Sequence, residues 1–170
     1  MSLPLISSIS DVPICFLDFD GVLHPDEVYY KPGKGIFIVN SKHALFAWTS
    51  ILSELLEPHP DVRIVLSTSW VPMRSYLFAK SRLPPDLQAR VIGATYNSRV
   101  IHRSEFFLMR RGEQVLSFVN RRCLRRWFAI DDDIEGWPGW CEQRLVKTDG
   151  AAGMSDINAQ NAVREILSNL

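Results

Sequence analysis

Three short apolar runs, each stopping abruptly in polar residues, limit what this chain can fold into more than any other feature. Ile14–Leu17 runs into Asp18-Phe19-Asp20-Gly21, residues 62–66 run into Ser67-Thr68-Ser69-Trp70, and residues 127–130 run into Asp131-Asp132-Asp133. A run of four or five residues that is apolar on both faces suits a strand covered on both sides, the environment of a parallel sheet. Segments of helical pattern alternate with these runs. Ala44, Leu45, Trp48, Ile51, Leu52, Leu55 and Leu56 recur at steps of one, three and four, one wide apolar stripe. Asn40 or Ser41 supplies its cap, and Pro58 and Pro60 end it.

Further helices are expected over 73–80 after Pro72, from Pro84 and Pro85 to about Arg90, and over 113–120. A last one runs from a Ser155 cap to Leu167, with Ile157, Val163, Ile166 and Leu167 inward. Residues 91–95 read as an edge strand and 144–146 as a final short strand. Between 22–30 and 36–39, the turn Lys31-Pro32-Gly33-Lys34-Gly35 predicts a small hairpin projecting beyond the sheet, a flap able to cover a site. Alternating strands and helices without repeats or linkers indicate an α/β fold, a three-layer Rossmann-like sandwich around a mostly parallel sheet. At 170 residues the expected organisation is one domain over 1–170, with 1–11 as an N-terminal extension.

The three polar strand ends carry the chemistry. In an open α/β sheet, ligands bind beyond the carboxyl ends of the strands. Four or five carboxylates gathered there repel one another and resist ionisation unless a cation lies among them, and hard oxygen ligands select Mg²⁺.

These motifs, in this order, resemble the haloacid dehalogenase superfamily of phosphotransferases. Phe16-Leu17-Asp18-Phe19-Asp20-Gly21-Val22-Leu23 is similar to its first motif, a strand followed by D-x-D-G. Ile64-Val65-Leu66-Ser67 is similar to the second, and Trp127-Phe128-Ala129-Ile130-Asp131-Asp132 to the fourth. The likeness spans residues 14–133. The Trp70 context, residues 91–95 and the stretch from Thr148 and Asp149 to Gly153 further resemble such domains in multi-domain RNA-repair proteins.

The resemblance implies a Mg²⁺-dependent phosphomonoesterase. Asp18 is then the nucleophile that forms an aspartyl-phosphate, and Asp20 the acid and base. Asp20 also separates the chain from the superfamily's dehalogenases, which lack an acid there, and from its P-type ATPases, which carry Thr. Gly21 permits the turn that aims backbone amides at phosphate. Ser67 binds a phosphoryl oxygen, with Thr68 and Ser69 as register alternatives. The metal falls to Asp18, the backbone carbonyl of Asp20, and Asp131, supported by Asp132 or Asp133. The third motif, a cation on the nucleophile, falls to Arg111, then Arg110, with Lys80 as an outsider.

The stretch between the first two motifs is consumed by the flap and a helix, so no large cap domain is expected. Capless members of the superfamily admit macromolecular ends or borrow a cover from a neighbouring subunit, which leaves the oligomeric state open. Lys plus Arg and Asp plus Glu are 19 each, which argues against general polyanion binding. From Arg99 to Arg126, however, eight arginines (99, 103, 110, 111, 121, 122, 125 and 126) face only Glu105 and Glu113. Most such charges are solvated faces, yet a phosphatase of nucleic-acid ends needs a basic track. The substrate expected is a phosphorylated one, a nucleic-acid or nucleotide terminal phosphate, with a small metabolite phosphoester close behind. A phospho-acceptor signalling domain is disfavoured because 62–66 ends in Ser, not Asp. A non-catalytic phosphate-binding module is disfavoured by the intact Asp18, Asp20 and Asp131.

His24 after the first motif reads as a turn histidine or a leaving-group contact, and Trp137 and Trp140 as core cover by default, with base stacking as the alternative. Cys15, Cys123 and Cys141 are odd in number without C-x-x-C spacing, which fits a reducing cytoplasm rather than a disulfide framework. No apolar run reaches the roughly 18 residues of a membrane span, and residues 1–11 lack the pattern of a leader, so a cytoplasmic, unprocessed protein with no membrane partner is expected.

Overall fold

Each apolar run becomes a strand, and the register between strands brings their polar ends to one height. The computed structural model describes residues 9–39 and 42–170. Its strands are Ile14–Leu17 (β1), Val28–Lys31 (β2), Gly35–Ile38 (β3), Arg63–Leu66 (β4), Val91–Ala94 (β5), Trp127–Asp131 (β6) and Leu145–Lys147 (β7). Five of them form a sheet in the order β5-β4-β1-β6-β7, every pairing parallel, and β2 and β3 form the separate antiparallel hairpin. Leu17 of β1 lies level with Leu66 of β4 and with Ile130 of β6. Asp18, Ser67 and Asp131, one residue further on, therefore emerge side by side.

The two-residue period of the strands divides the core into two halves. Cys15, Leu17, Ile64, Leu66, Phe128 and Ile130 face one way, into a cluster shared with Thr49–Leu56 (α1), Trp70–Met73 (α2), Tyr76–Ser81 (α3), Pro85–Arg90 (α4) and Ile157–Asn169 (α7). Ile14, Phe16, Val65, Trp127 and Ala129 face the other way, onto Val115, Phe118 and Val119 of Arg111–Arg122 (α6), which follows Arg103–Leu108 (α5). Both faces of every central strand are thus apolar because helices cover both, and the expected three-layer α/β sandwich results.

Several expected boundaries change for local reasons. The candidate caps Asn40 and Ser41 lie outside the described residues, and α1 begins only at Thr49. Residues 44–48 form turns instead: Phe46 takes a positive φ of 61°, its N–H donates to His24 Nδ1 at 3.1 Å, and the Trp48 N–H donates to the Leu23 carbonyl at 3.0 Å. This backbone is used to hold the loop after β1 rather than to extend a helix. The helix expected over 73–80 is split into α2 and α3, with Pro72 inside α2. Ser75 is extended at the break, and its Oγ caps α3 by accepting the Phe78 N–H at 3.1 Å. At α7 the cap is Asp156, not Ser155, with its carboxylate accepting the Asn158 N–H at 2.8 Å. Ile157, in the first turn, is exposed rather than inward; Ala159, Val163 and Leu167 point into the core, and Ile166 packs against it partly buried. Trp137 is half-buried and donates to the Asp133 carbonyl at 3.0 Å, but Trp140 is 63% exposed and covers no core.

Among the described residues nothing larger than the β2–β3 hairpin stands between β1 and α1. No helix among them is long and apolar enough to cross a membrane.

Candidate active site

The strand ends are tied together by main-chain bonds before any side chain is considered. The Asp18 N–H donates to the Ile130 carbonyl at 3.2 Å, and the Ser67 N–H to the Leu17 carbonyl at 2.8 Å. At β7, the Thr148 N–H donates to the Asp131 carbonyl at 3.0 Å while its hydroxyl donates to the Gly21 carbonyl at 2.7 Å, clamping the loop after β1 to the end of β6. Gly21 has a φ of +70°, and a Cβ there would collide with the Asp132 carboxylate. Only glycine lets the loop turn tightly enough to pass Asp132.

Carboxylate oxygens of Asp18, Asp131 and Asp132 lie within 4.8 Å of one another, the first two buried and the third half-buried. Arg111, the first residue of α6, reaches this group from the helix that covers the Phe16 and Ala129 face of the sheet. Its Nη2 is 3.3 Å from Asp18 Oδ2, its Nε is 3.3 Å from Asp131 Oδ2, and its Nη1 donates to the Ser67 carbonyl. The start of α6 is fixed there by close backbone contact. The Gly112 N–H donates to the Glu135 carbonyl at 2.9 Å, and a side chain on Gly112 would overlap the Gly136 backbone.

One guanidinium does not neutralise three acids. Burial pushes Asp18 up to about 6; Arg111 works against that rise and Asp20 adds to it. Asp131 is pushed well above the ordinary carboxylate range by burial and by Asp18, only partly offset by Arg111, and Asp132 is raised mainly by burial. Burial opposes the charge on Arg111, but Asp18 and Asp131 more than compensate and push it up. Among the described residues of this site, the buried Ser67 Oγ and Asp131 Oδ2 have no hydrogen-bond partner; the latter has only its ionic contact with Arg111. Three hard oxygen donors with residual negative charge and an unsatisfied oxygen fit a divalent cation of the Mg²⁺ type.

Asp20 points away from this cluster and is 28% exposed. The Trp70 indole N–H donates to its Oδ1 at 3.0 Å and Oδ2 at 3.1 Å, and His24 Nε2 lies 2.9 Å from Oδ1. His24 Nδ1 accepts the Phe46 N–H, so a neutral His24 carries its proton on Nε2 and donates it to Asp20. Edge-on packing of Phe19, Phe46, His24 and Trp70 keeps both donors in place. Neither role was visible in the sequence. His24 looks like a turn residue, and Trp70 meets Asp20 across 50 positions.

The remaining sequence candidates separate. Arg110, adjacent to Arg111, is 61% exposed and pairs with Glu113 at 2.7 Å. Thr68 is buried, with its hydroxyl accepting the Trp70 N–H at 3.4 Å. Lys80 donates to the Val91 carbonyl at the far end of β5. The arginine run is likewise divided: Arg125 and Arg126 bind Asp11 at the amino ends of β1 and β6, away from the acids, and Arg126 also reaches Leu170.

A family model described as the HAD domain in Swiss Army Knife RNA repair proteins matches residues 14–159. No curated protein matches significantly. Among solved structures, a hypothetical protein from Xanthomonas campestris aligns with a TM-score of 0.45 and 17% identity over 97% of this chain and 88% of that one.

Proposed function

The chain belongs to the family of haloacid dehalogenase (HAD) domains of Swiss Army Knife RNA repair proteins, and on that membership we propose a Mg²⁺-dependent phosphomonoesterase that works through an aspartyl-phosphate on Asp18. The observation that carries this reading is the Asp18, Asp131 and Asp132 cluster with Arg111 bridging its two buried acids, and with Asp20 held separately two residues from Asp18. The family's name supports a nucleic-acid or nucleotide terminal phosphate as the substrate.

In the first step an Asp18 carboxylate oxygen attacks phosphorus, the bond from phosphorus to the leaving oxygen breaks, and Asp20 donates its proton to that oxygen. In the second, water attacks the same phosphorus, Asp20 takes the water's proton, and the bond to Asp18 breaks to release phosphate. Arg111 offsets charge on Asp18 throughout, and the unpartnered Ser67 hydroxyl is free to donate to a phosphoryl oxygen. Mg²⁺, held by Asp18, Asp131 and Asp132, would offset the charge of these acids and of the incoming phosphate. Phosphate release should be measured from an aryl phosphate, phosphorylated metabolites, nucleotides and end-phosphorylated oligonucleotides. Release that requires Mg²⁺ is expected, and no release from any of them contradicts the reading.

Acids whose values rise on folding bind protons more tightly in the folded state. The Asp18 contribution to stability is therefore complete below about pH 4 and is lost as pH rises through about 6, and Asp131, raised in the same direction, contributes with the same sign. Above that range a divalent cation restores it, whereas in acid the cation must displace protons. Mg²⁺ should raise the melting temperature more at about pH 7.5 than at about pH 5. Equal increments at both would contradict the assignment of these acids as its ligands.

Trp70 and His24 are positioning residues, acting through Asp20. General acid catalysis matters most when the leaving group is a poor one. Trp70→Phe and His24→Asn should slow hydrolysis of an alkyl phosphate about tenfold or more, and of p-nitrophenyl phosphate less than about threefold. An equal fall on both substrates would indicate a structural role only.

A further inference from the structure

Asp20 protonates the leaving oxygen, so the body of the substrate extends on the Asp20 side of the pocket. The residue that holds Asp20 there, Trp70, is also a wall of a cavity of about 560 Å³ between the β2–β3 hairpin and α2–α3. Its charged residues are Lys34, Arg74 and Arg82. Arg74 lies over the Tyr30 ring at 3.9 Å, and Phe78 stacks beside Trp70 with ring centres 6.2 Å apart. Arg74 and Ser75 are shared with a second groove of about 910 Å³ that follows the edge strand β5, where the charged residues are Arg99, Arg103 and Arg122 and the rings include Tyr76 and Tyr96.

Among the described residues no Asp or Glu lines either groove, although acids and bases are equally abundant in the chain. Six cations without a counter-acid attract a repeated anion, and rings interleaved among them offer faces for planar groups. A duplex stacks its bases on one another and cannot present them to such rings, whereas a single strand can.

We propose that the two adjoining grooves form a track for a single-stranded polynucleotide whose terminal phosphate enters the Asp18 pocket. The track deepens the phosphatase reading and rests on it for its direction. Binding is by phosphate charge and ring stacking, so it is tolerant of base sequence. The part of the arginine run that serves it is Arg99, Arg103 and Arg122, and not Arg125 or Arg126, which line neither groove and bind Asp11 at the amino ends of β1 and β6.

The test is fluorescence anisotropy of an end-phosphorylated single strand of about ten nucleotides on the full chain, with chelator present so that no turnover occurs. Affinity should fall with salt, with a log–log slope of about −0.7 for each phosphate contacted. The double variant Arg99→Glu/Arg103→Glu should bind about tenfold or more weakly and reduce that slope by about 1.4. Tyr30→Ala should weaken binding about tenfold with the slope unchanged, while Arg164→Glu on α7, outside both grooves, should leave binding as it was. Unchanged affinity in the double variant overturns the track. So does equal or tighter binding of a duplex or of an acidic phosphopeptide of the same charge. Hydrolysis of an aryl phosphate without polymer binding would remove the track and leave the phosphatase. Binding without hydrolysis of any substrate would do the reverse.

Discussion

Turnover of an aryl phosphate by the Asp18→Asn protein is expected to fall at least about a thousandfold, because an uncharged amide cannot replace the carboxylate as nucleophile. The substitution is nearly isosteric, and the Asn oxygen can still accept the Phe19 N–H that Asp18 Oδ1 accepts at 2.7 Å. It also removes a buried charge whose burial and acidic neighbours raise its value to about 6. A shift of that size corresponds to something on the order of 3 kcal/mol. At about pH 7.5 without Mg²⁺ the variant should therefore melt no lower than the parent, since that net shift already includes the opposing pull of Arg111. The pairing of lost turnover with preserved melting separates a missing nucleophile from a damaged fold. An unchanged rate would remove Asp18 from the mechanism.

Arg111→Ala is expected to damage both. It leaves Asp18 and Asp131 buried with no guanidinium between them and removes a donor from the Ser67 carbonyl. Breaking one side of a buried ionic group costs about 3–5 kcal/mol, which in a domain of this size lowers the melting temperature by roughly 10 °C. Mg²⁺ should restore part of that loss, since a cation among the same acids supplies charge that Arg111 no longer does. It should not restore turnover. Arg111→Lys should rescue stability better than activity: an ammonium keeps the charge but cannot span Asp18, Asp131 and the Ser67 carbonyl at once. Thermal melting with and without Mg²⁺ and phosphate release on the same samples check both statements. A variant as stable and active as the parent would show that Arg111 does neither job.

The site's framework was legible because its signals are local. An apolar strand followed by acids or hydroxyls is a short-range pattern, and parallel register converts three such patterns into neighbours. What was not legible depends on contacts distant in sequence. The stripe from Ala44 to Leu56 has helical spacing throughout, yet the backbone around Phe46 and Trp48 is drawn to His24 and Leu23, so helix α1 starts late. Sequence ranked Arg111 above Arg110 by position alone. In the structure one precedes the helix and pairs with Glu113, while the other opens the helix and points into the acids. Trp70 gave no sign that its indole would meet Asp20, because that meeting requires β1 and β4 to be neighbours first.

The most direct test of the central claim is chemical trapping of the covalent state during turnover. Asp20→Asn should slow the release step while an aryl phosphate, with its good leaving group, should still load the enzyme. Quenching that reaction with borohydride reduces an acyl phosphate to an alcohol, and peptide mass mapping then locates it. Homoserine at position 18 and at no other acid is the predicted result. Phosphate released over many turnovers while position 18 stays an unmodified aspartate at every quench time would contradict it.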